Sequence, residues 1–179
     1  MSNITKMKIA DGLEELLLSN SISKITVSDI VNVCGVSRQT FYNNFVDIYD
    51  LLYWTHAIRI KEAVDTFWEK EDFIHAFEMA TVIMRKHKVF YQQIIRKEGV
   101  NSFQRLFAQQ NVELSKVRIK KMIQKECNKE EEFLLELYWY GAAQMLVNWI
   151  LDGMKEEPIQ LANLLFEGLP VMLRQYWKK

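Results

Sequence analysis

The chain has 179 residues, enough to bury a sizeable core as one large domain or two small ones. Lys plus Arg and Asp plus Glu both number 23, so the net charge is zero and bulk charge draws it neither to nucleic acid nor to acidic membranes. Six glycines and two prolines leave little turn chemistry for a many-stranded β protein, and 49% hydrophobic residues exclude disorder, so the composition points to an all-α fold.

From the N-terminus, Ile4, Met7, Ala10, Leu13, Leu16 and Leu17 recur three or four apart, which predicts a helix with one apolar face ending near Asn20. Thr26 with Asp29 forms a capping-box-like pair, and Ile25 and Ile30 occupy the positions of a hydrophobic staple, so a second helix starts at Thr26. It runs to about Cys34, where Gly35 supplies a sharp turn. Ser37 caps a short third helix over Arg38 to Asn43, and Asp47 with Asp50 opens a fourth, to which Val46 and Leu51 add a second staple. Beyond residue 57 the spacing predicts helices over roughly 72–86, 88–98, 102–126, 129–152 and 159–176, about nine in all. Gly99 and Gly153 mark helix ends, Pro158 a helix start, and Gly168 with Pro170 a weakness or kink in the last helix.

The segment Thr26 to Phe45 carries the strongest chemical signal. It makes two short helices around a glycine turn, with Ile30, Val33, Val36, Phe41 and Phe45 as a small core. Ser37, Arg38, Gln39, Thr40, Tyr42, Asn43 and Asn44 are then left facing outward. Arg reads guanine and Gln or Asn reads adenine in the major groove, while hydroxyls grip phosphate. A polar helix hairpin without a ligand is the alternative on spacing alone.

The same run resembles the DNA-binding domain of the TetR family of bacterial regulators, through Gly35-Val36-Ser37 at the turn and Thr40-Phe41-Tyr42-Asn43-Asn44-Phe45 after it. The likeness covers about 50 residues and implies a homodimer on double-stranded DNA, its two recognition helices in successive major grooves of a palindromic operator. It implies DNA contacts from Thr26, Ser37, Arg38, Gln39, Thr40, Tyr42 and Asn43. Lys6 and Lys8 are expected to supply part of the phosphate grip.

Three departures stand out. Ile48 replaces the family's usual Lys at the start of the fourth helix, and Val31 replaces a small Ala, which should widen the packing slightly. Residues 1–56 carry Lys6, Lys8, Lys24 and Arg38 against Asp11, Glu14, Glu15, Asp29, Asp47 and Asp50, a net charge of −2. Such a domain should bind random DNA weakly and show a shallow salt dependence.

A helix-turn-helix head over 1–56 and a helical ligand-binding and dimerisation domain over 57–179 follow from this division. The run from His87 through Phe90, Tyr91 and Ile94 to Phe103 and Phe107 resembles the C-terminal domain of TetR-type regulators related to activators of dihydroxyacetone kinase operons. Such a domain implies a cavity for a small-molecule effector, or a surface for a partner protein. Phe67, Trp68, Phe90, Tyr91, Phe103, Phe107, Trp139, Gln144 and Asn148 are its candidate lining, with plain core as the alternative. Gln144 and Asn148 are equally able to bond to each other or across a dimer.

The helix around Tyr138, Trp139, Tyr140, Gly141, Ala142, Ala143, Met145 and Trp149, with the last helix from Leu161 to Leu173, is the expected dimer bundle, close approach being allowed by Gly141, Ala142 and Ala143, with core packing within one subunit as the alternative. Phe133 to Leu151 is 19 residues with one formal charge, Glu136, but Gln144, Asn148 and the flanking glutamates argue against a membrane span. The charges from Lys120 to Glu132 read as a solvated helix end.

No catalytic constellation, metal site or cofactor motif is expected. His56, His75 and His87 lack metal-ligand spacing, and neither a phosphate loop nor a nucleophile elbow occurs. Cys34 and Cys127 read as idle thiols of a reducing cytoplasm, and no export leader opens the chain. The expectation is therefore a ligand-responsive DNA-binding regulator, with a helical protein-interaction module that has lost DNA binding as the alternative.

Overall fold

The computed structural model describes residues 3–70, 72–98 and 100–177, with side chains at 68–70, 97–98 and 100–102 excepted. The expectations for the Trp68 side chain and for a helix stop at Gly99 lie outside the described residues. Within them the fold is all-α, with ten helices and no strand. The tenth arises because the last expected helix divides at Gly168-Leu169-Pro170 into α9 (Pro158–Glu167) and α10 (Val171–Arg174). Pro170 has no N–H to continue the ladder and stands as N-cap of the new helix.

Helices α1 (Asn3–Leu17), α2 (Val27–Cys34) and α3 (Arg38–Tyr42) build the N-terminal head, with a 3-10 turn at Ile22–Lys24 that the periodicity did not indicate. Thr26 and Asp29 form the full capping box, Gly35 ends α2 in the left-handed region at φ 61°, and Ser37 caps α3 by accepting from the Thr40 amide. Helices α1 and α2 approach closely: a methyl group on Gly12 would sit 2.2 Å from Cys34 Sγ. The thiol is itself held, donating to the Lys8 carbonyl at 3.3 Å.

Three expectations for the head are corrected. Ile4 and Met7 are exposed, because α1 turns Ile9, Ala10, Gly12, Leu13 and Leu17 inward instead. Val33 is exposed, since Ile30, Val31 and Cys34 already fill the α2 face against α1. The second staple fails because Val46 is exposed while Leu51 is buried; the Val46 amide instead donates to Asp50 Oδ2 at 2.9 Å.

Helix α4 (Ile48–Lys70) leaves the head and enters the rest of the molecule without a break. It packs Leu51 and Leu52 into the head core and Trp54 edge-on to Phe45. One turn on, Arg59 faces Glu14 of α1, lays its guanidinium 4.3 Å from the Phe90 ring centroid, and is pulled down to about 10 by burial. Glu14 also lies 3.1 Å from His87 Nδ1. Beneath them His56, wholly buried, pairs through Nδ1 with the Tyr91 hydroxyl at 3.1 Å. A second tie joins head and body where the Ile22 amide donates to Gln93 Oε1 at 3.3 Å.

The body comprises α5 (Phe73–Lys86), α6 (Lys88–Glu98), α7 (Val100–Ile123), α8 (Lys129–Leu151), α9 and α10. Its core centres on Trp139, which stacks on Phe73 and Phe77, meets Phe107 edge-on, and donates its indole N–H to Ser115 Oγ at 2.8 Å. Ala142 and Ala143 are buried in this same core, so of the three small residues only Gly141 remains on the surface. The charged run is not wholly solvated either. Glu131 is buried, closing a capping box with Asn128 and accepting from the Tyr176 hydroxyl at 2.7 Å. Among the described residues no helix is long and apolar enough to cross a membrane.

Two outcomes follow from this packing. An alanine at Gly12 gains roughly 1 kcal/mol of helix propensity but collides with a thiol fixed on a neighbouring helix. Overpacking of about 1–3 kcal/mol should win, so Gly12→Ala lowers the thermal midpoint by several degrees and Cys34→Ala added to it restores most of the loss in calorimetry.

The second concerns pH. Burial holds His56 down to about 4, below the ~6.5 of an unfolded chain, and His87 is lowered too, by burial and then by Arg59 and Lys86. A folded value below the unfolded one means stability is complete above about pH 6.5 and falls as the pH drops towards 4, by about 1.4 kcal/mol per unit for one such group. Urea unfolding at pH 7 and pH 5 should show this fall, and His56→Phe should flatten it; an identical slope in the variant would remove His56 as its cause.

Candidate DNA-binding face and effector cavity

One face of the head is made by α3 and the start of α2. Phe41 and Phe45 anchor α3 from below, with Phe45 and Phe41 rings 5.8 Å apart and both residues buried. The helix is short and Phe41 is its buried residue, so Arg38, Gln39, Tyr42 and Asn43 are left exposed on the other side. Arg38 Nη1 donates to Ser28 Oγ at 2.6 Å, which aims the guanidinium across the face instead of leaving it to sweep. Gln39 Nε2 donates to Asn43 Oδ1 at 2.8 Å, giving the two amides one orientation. Tyr42 is 48% exposed and meets Phe41 edge-on, so its hydroxyl stands at the rim.

The hydroxyls are already in use. Ser37 Oγ accepts from the Thr40 amide at 3.0 Å and lies 2.9 Å from Thr40 Oγ1. Thr26 Oγ1 donates to Asp29 Oδ2 at 2.7 Å and accepts from the Asp29 amide. These bonds from Thr26 hold the Asp29 carboxyl below the usual carboxylate range. Asn44 turns partly inward, its Nδ2 donating to the Thr40 carbonyl at 2.7 Å, so it does not share the exposed face expected of it. Lys6 lies with its ammonium 5.0 Å from the Phe45 ring centroid and 5.6 Å from that of Trp54. Ser28 was not among the candidates, because a brace ten residues from Arg38 leaves no periodic trace.

The body holds a cavity of about 710 Å³ between α4, α5 and α7. Its α4 wall is Ala57, Ile60, Ala63, Val64 and Phe67; α5 gives Ala76, Phe77, Ala80 and Met84; α7 gives Leu106, Phe107, Asn111, Leu114 and Val117. Lys61, Gln109, Gln110 and Glu113 stand at its rim. Four alanines where larger side chains would meet leave the space open.

Of the candidate ligand residues, Phe67 and Phe107 line this cavity. Tyr91 and Phe103 instead meet His56 edge-on at the junction with the head, and Phe90 lies edge-on to Tyr91 beneath Arg59. Trp139 lies behind Phe77 and Phe107, its ring consumed by stacking and its N–H by Ser115. Gln144 Nε2 donates to Asn148 Oδ1 at 2.8 Å on the outer side of α8, away from the cavity. That outer side exposes Phe133, Leu137, Tyr140 and Met145, with open space above Gly141. Leu164 of α9 and Val171 and Met172 of α10 are exposed as well.

Residues 71–169 match the TetR-type family described as transcriptional regulator C-terminal region. The HTH-type dhaKLM operon transcriptional activator DhaS of Lactococcus lactis subsp. lactis (strain IL1403) is 30% identical over 93 residues, 52% of this chain and 50% of that protein. The HTH-type transcriptional regulator AlkX of Mycobacterium tuberculosis (strain ATCC 25618 / H37Rv) is 46% identical over 37 residues, 21% of this chain and 18% of that protein. The chain thus spans half or less of the length of these curated relatives. A solved structure of a dihydroxyacetone kinase operon activator DhaS shares the fold with a TM-score of 0.74 at 22% identity, over 99% of this chain and 100% of that one.

Proposed function

The chain belongs to the TetR family of transcriptional regulators, and from that premise we propose that it is a dimeric, sequence-specific DNA-binding regulator acting in the cytoplasm under the control of an effector. The observation that carries this reading is the exposed polar face of α3, on which Arg38 is braced by Ser28 and Gln39 by Asn43 above a buried aromatic anchor. Arg38 and the Gln39–Asn43 pair offer the donors and acceptors that guanine and adenine edges require, and Ser37, Thr40, Thr26 and Tyr42 border them as phosphate contacts. The head extends over residues 1–56 and the effector and dimerisation domain over 57–179.

Dimerisation is assigned to the stripe of α8 with Leu164, Val171 and Met172, whose apolar side chains are exposed among the described residues. The effector is assigned to the cavity between α4, α5 and α7. An occupant there touches Ala57 and Ile60, which flank the junction residues His56 and Arg59 on the same helix. Occupancy that favours one placement of α4 also favours one spacing of the two heads, and a change in spacing changes the fit to successive major grooves.

Gel shifts should be run on DNA upstream of the protein's own gene and upstream of dihydroxyacetone kinase genes, the latter because of the kinship with the Lactococcus activator. Arg38→Ala should weaken specific binding by roughly 1–3 kcal/mol, about 5- to 150-fold, and Ser28→Ala by a smaller factor through loss of the brace. Both variants should keep the circular dichroism and dimer mass of the parent. Binding of neither DNA, or shifts identical in the variants, would overturn the assignment. Leu137→Glu places a charge in the apolar stripe and should convert the dimer to monomer in light scattering; an unchanged mass would move the interface elsewhere.

A further inference from the structure

We propose that the cavity between α4, α5 and α7 selects an uncharged, mainly hydrocarbon molecule with a single neutral polar end, and rejects both small polyhydroxylated compounds and organic ions. This inference rests on the effector role proposed above and gives that role a ligand class.

Three observations carry it. The first is that polar groups in and behind the walls are already bonded within the protein. Thr81 Oγ1 donates to the Phe77 carbonyl at 2.7 Å, Asn111 Nδ2 to the Phe107 carbonyl at 2.8 Å, and Ser115 Oγ to the Asn111 carbonyl at 2.7 Å while it accepts from Trp139. A ligand hydroxyl carried into the interior loses water and meets, among the described wall residues, only the Asn111 amide, whose Nδ2 is already engaged.

The second is charge. The lining includes one lysine, Lys61, and one glutamate, Glu113, both at the rim and both paired, with Asp65 and Lys116 respectively. Neither an anion nor a cation finds a net opposite charge at the mouth, and among the described lining residues none stands within the walls; the buried Arg118 lies behind them, 5.5 Å from the Phe67 ring centroid, with its Nε donating to the Tyr176 carbonyl. Burial of an uncompensated ion is the costliest substitution an apolar site can accept.

The third is size. About 710 Å³ lies within the range of sites for drug-sized molecules. Dihydroxyacetone, the compound for which the relative's operon is named, fills a small fraction of that space and carries hydrogen-bonding groups at every carbon. A chain or ring system of roughly ten carbons or more with one hydroxyl or amide end fits within a space of that class and reaches the rim, where Gln109 and Gln110 are exposed to meet it.

The test needs no DNA, so its failure is separable from failure of the regulator assignment. Full-length protein is titrated by calorimetry with 1-decanol, with decanoate and with dihydroxyacetone. Decanol is expected to bind at least tenfold tighter than decanoate, with no heat from dihydroxyacetone. Ala80→Phe, which fills the cavity, should abolish decanol binding. Val117→Trp, at an exposed lining position where folding is not at stake, should weaken it several-fold and keeps the test sound if Ala80→Phe is unstable. Decanoate binding as tightly as decanol, dihydroxyacetone binding that Val117→Trp or Ala80→Phe removes, decanol binding that neither variant alters, or no binding of decanol would each overturn the proposal.

Discussion

A single unbroken helix, α4, has to satisfy three sets of neighbours at once. Its first turns bury Leu51 and Leu52 in the head; its middle places His56 and Arg59 against α1 and α6; its later turns give the cavity Ile60, Ala63, Val64 and Phe67. Successive residues on a helix point about 100° apart, so Arg59 and Ile60 necessarily look into different compartments while moving together. The junction is therefore stiff where it must be. Arg59 is clasped between Glu14 and the Phe90 ring, and His56 is kept neutral by burial and bonded to Tyr91. Helix α4 joins head and body without a break, so the cavity wall and the base of the head lie on one continuous element.

Charge organises the head in an unusual way for a surface that meets DNA. The acidic residues near the exposed face serve the backbone: Asp29 completes the Thr26 cap, Asp47 accepts from the Asp50 amide, and Asp50 accepts from the Val46 amide. They stabilise helix starts whose positive ends would otherwise attract phosphate, and they offset the few lysines present. Lys6 is withdrawn over Phe45 and Trp54. The proposed recognition rests on Arg38 and on amide and hydroxyl groups whose geometry is set by bonds within the head. Such a surface discriminates sequences better than it grips DNA in general.

The features legible in the sequence were those written into adjacent residues. The Thr26–Asp29 box, the Gly35 turn, the Ser37 cap and the Pro158 start each depend on a spacing of a few positions, and each formed where the spacing placed it. What periodicity failed to give was the identity of the covering neighbour. Ile4, Met7 and Val33 keep helical spacing with buried residues but stand at the edge of the packed faces, and so are exposed. The cavity was legible only in part. Phe67 and Phe107 were visible as aromatics, but its volume is owed to alanines, which carry no signal in an apolar pattern. Trp139 looked like lining for the same reason that it is core: an aromatic at helical spacing says nothing of whether space or another ring lies beyond it.

Helix α8 shows how one apolar run divides its surface. Trp139, Ala142, Ala143, Leu146 and Val147 face the protomer's own core, and Phe133, Leu137, Tyr140 and Met145 face away from it. A helix apolar on both sides needs cover on both sides. Lipid would supply that cover only if the outer side carried no polar groups, yet it presents Gln144 bonded to Asn148 and the bare backbone at Gly141. An amide pair that satisfies itself, next to a position with no side chain, suits contact with another helix, where close approach and a few directed bonds fix register. The length and polarity of α8 thus favour a protein partner over lipid on the outer face, and the proposed dimer rests on that argument and not on hydrophobicity alone.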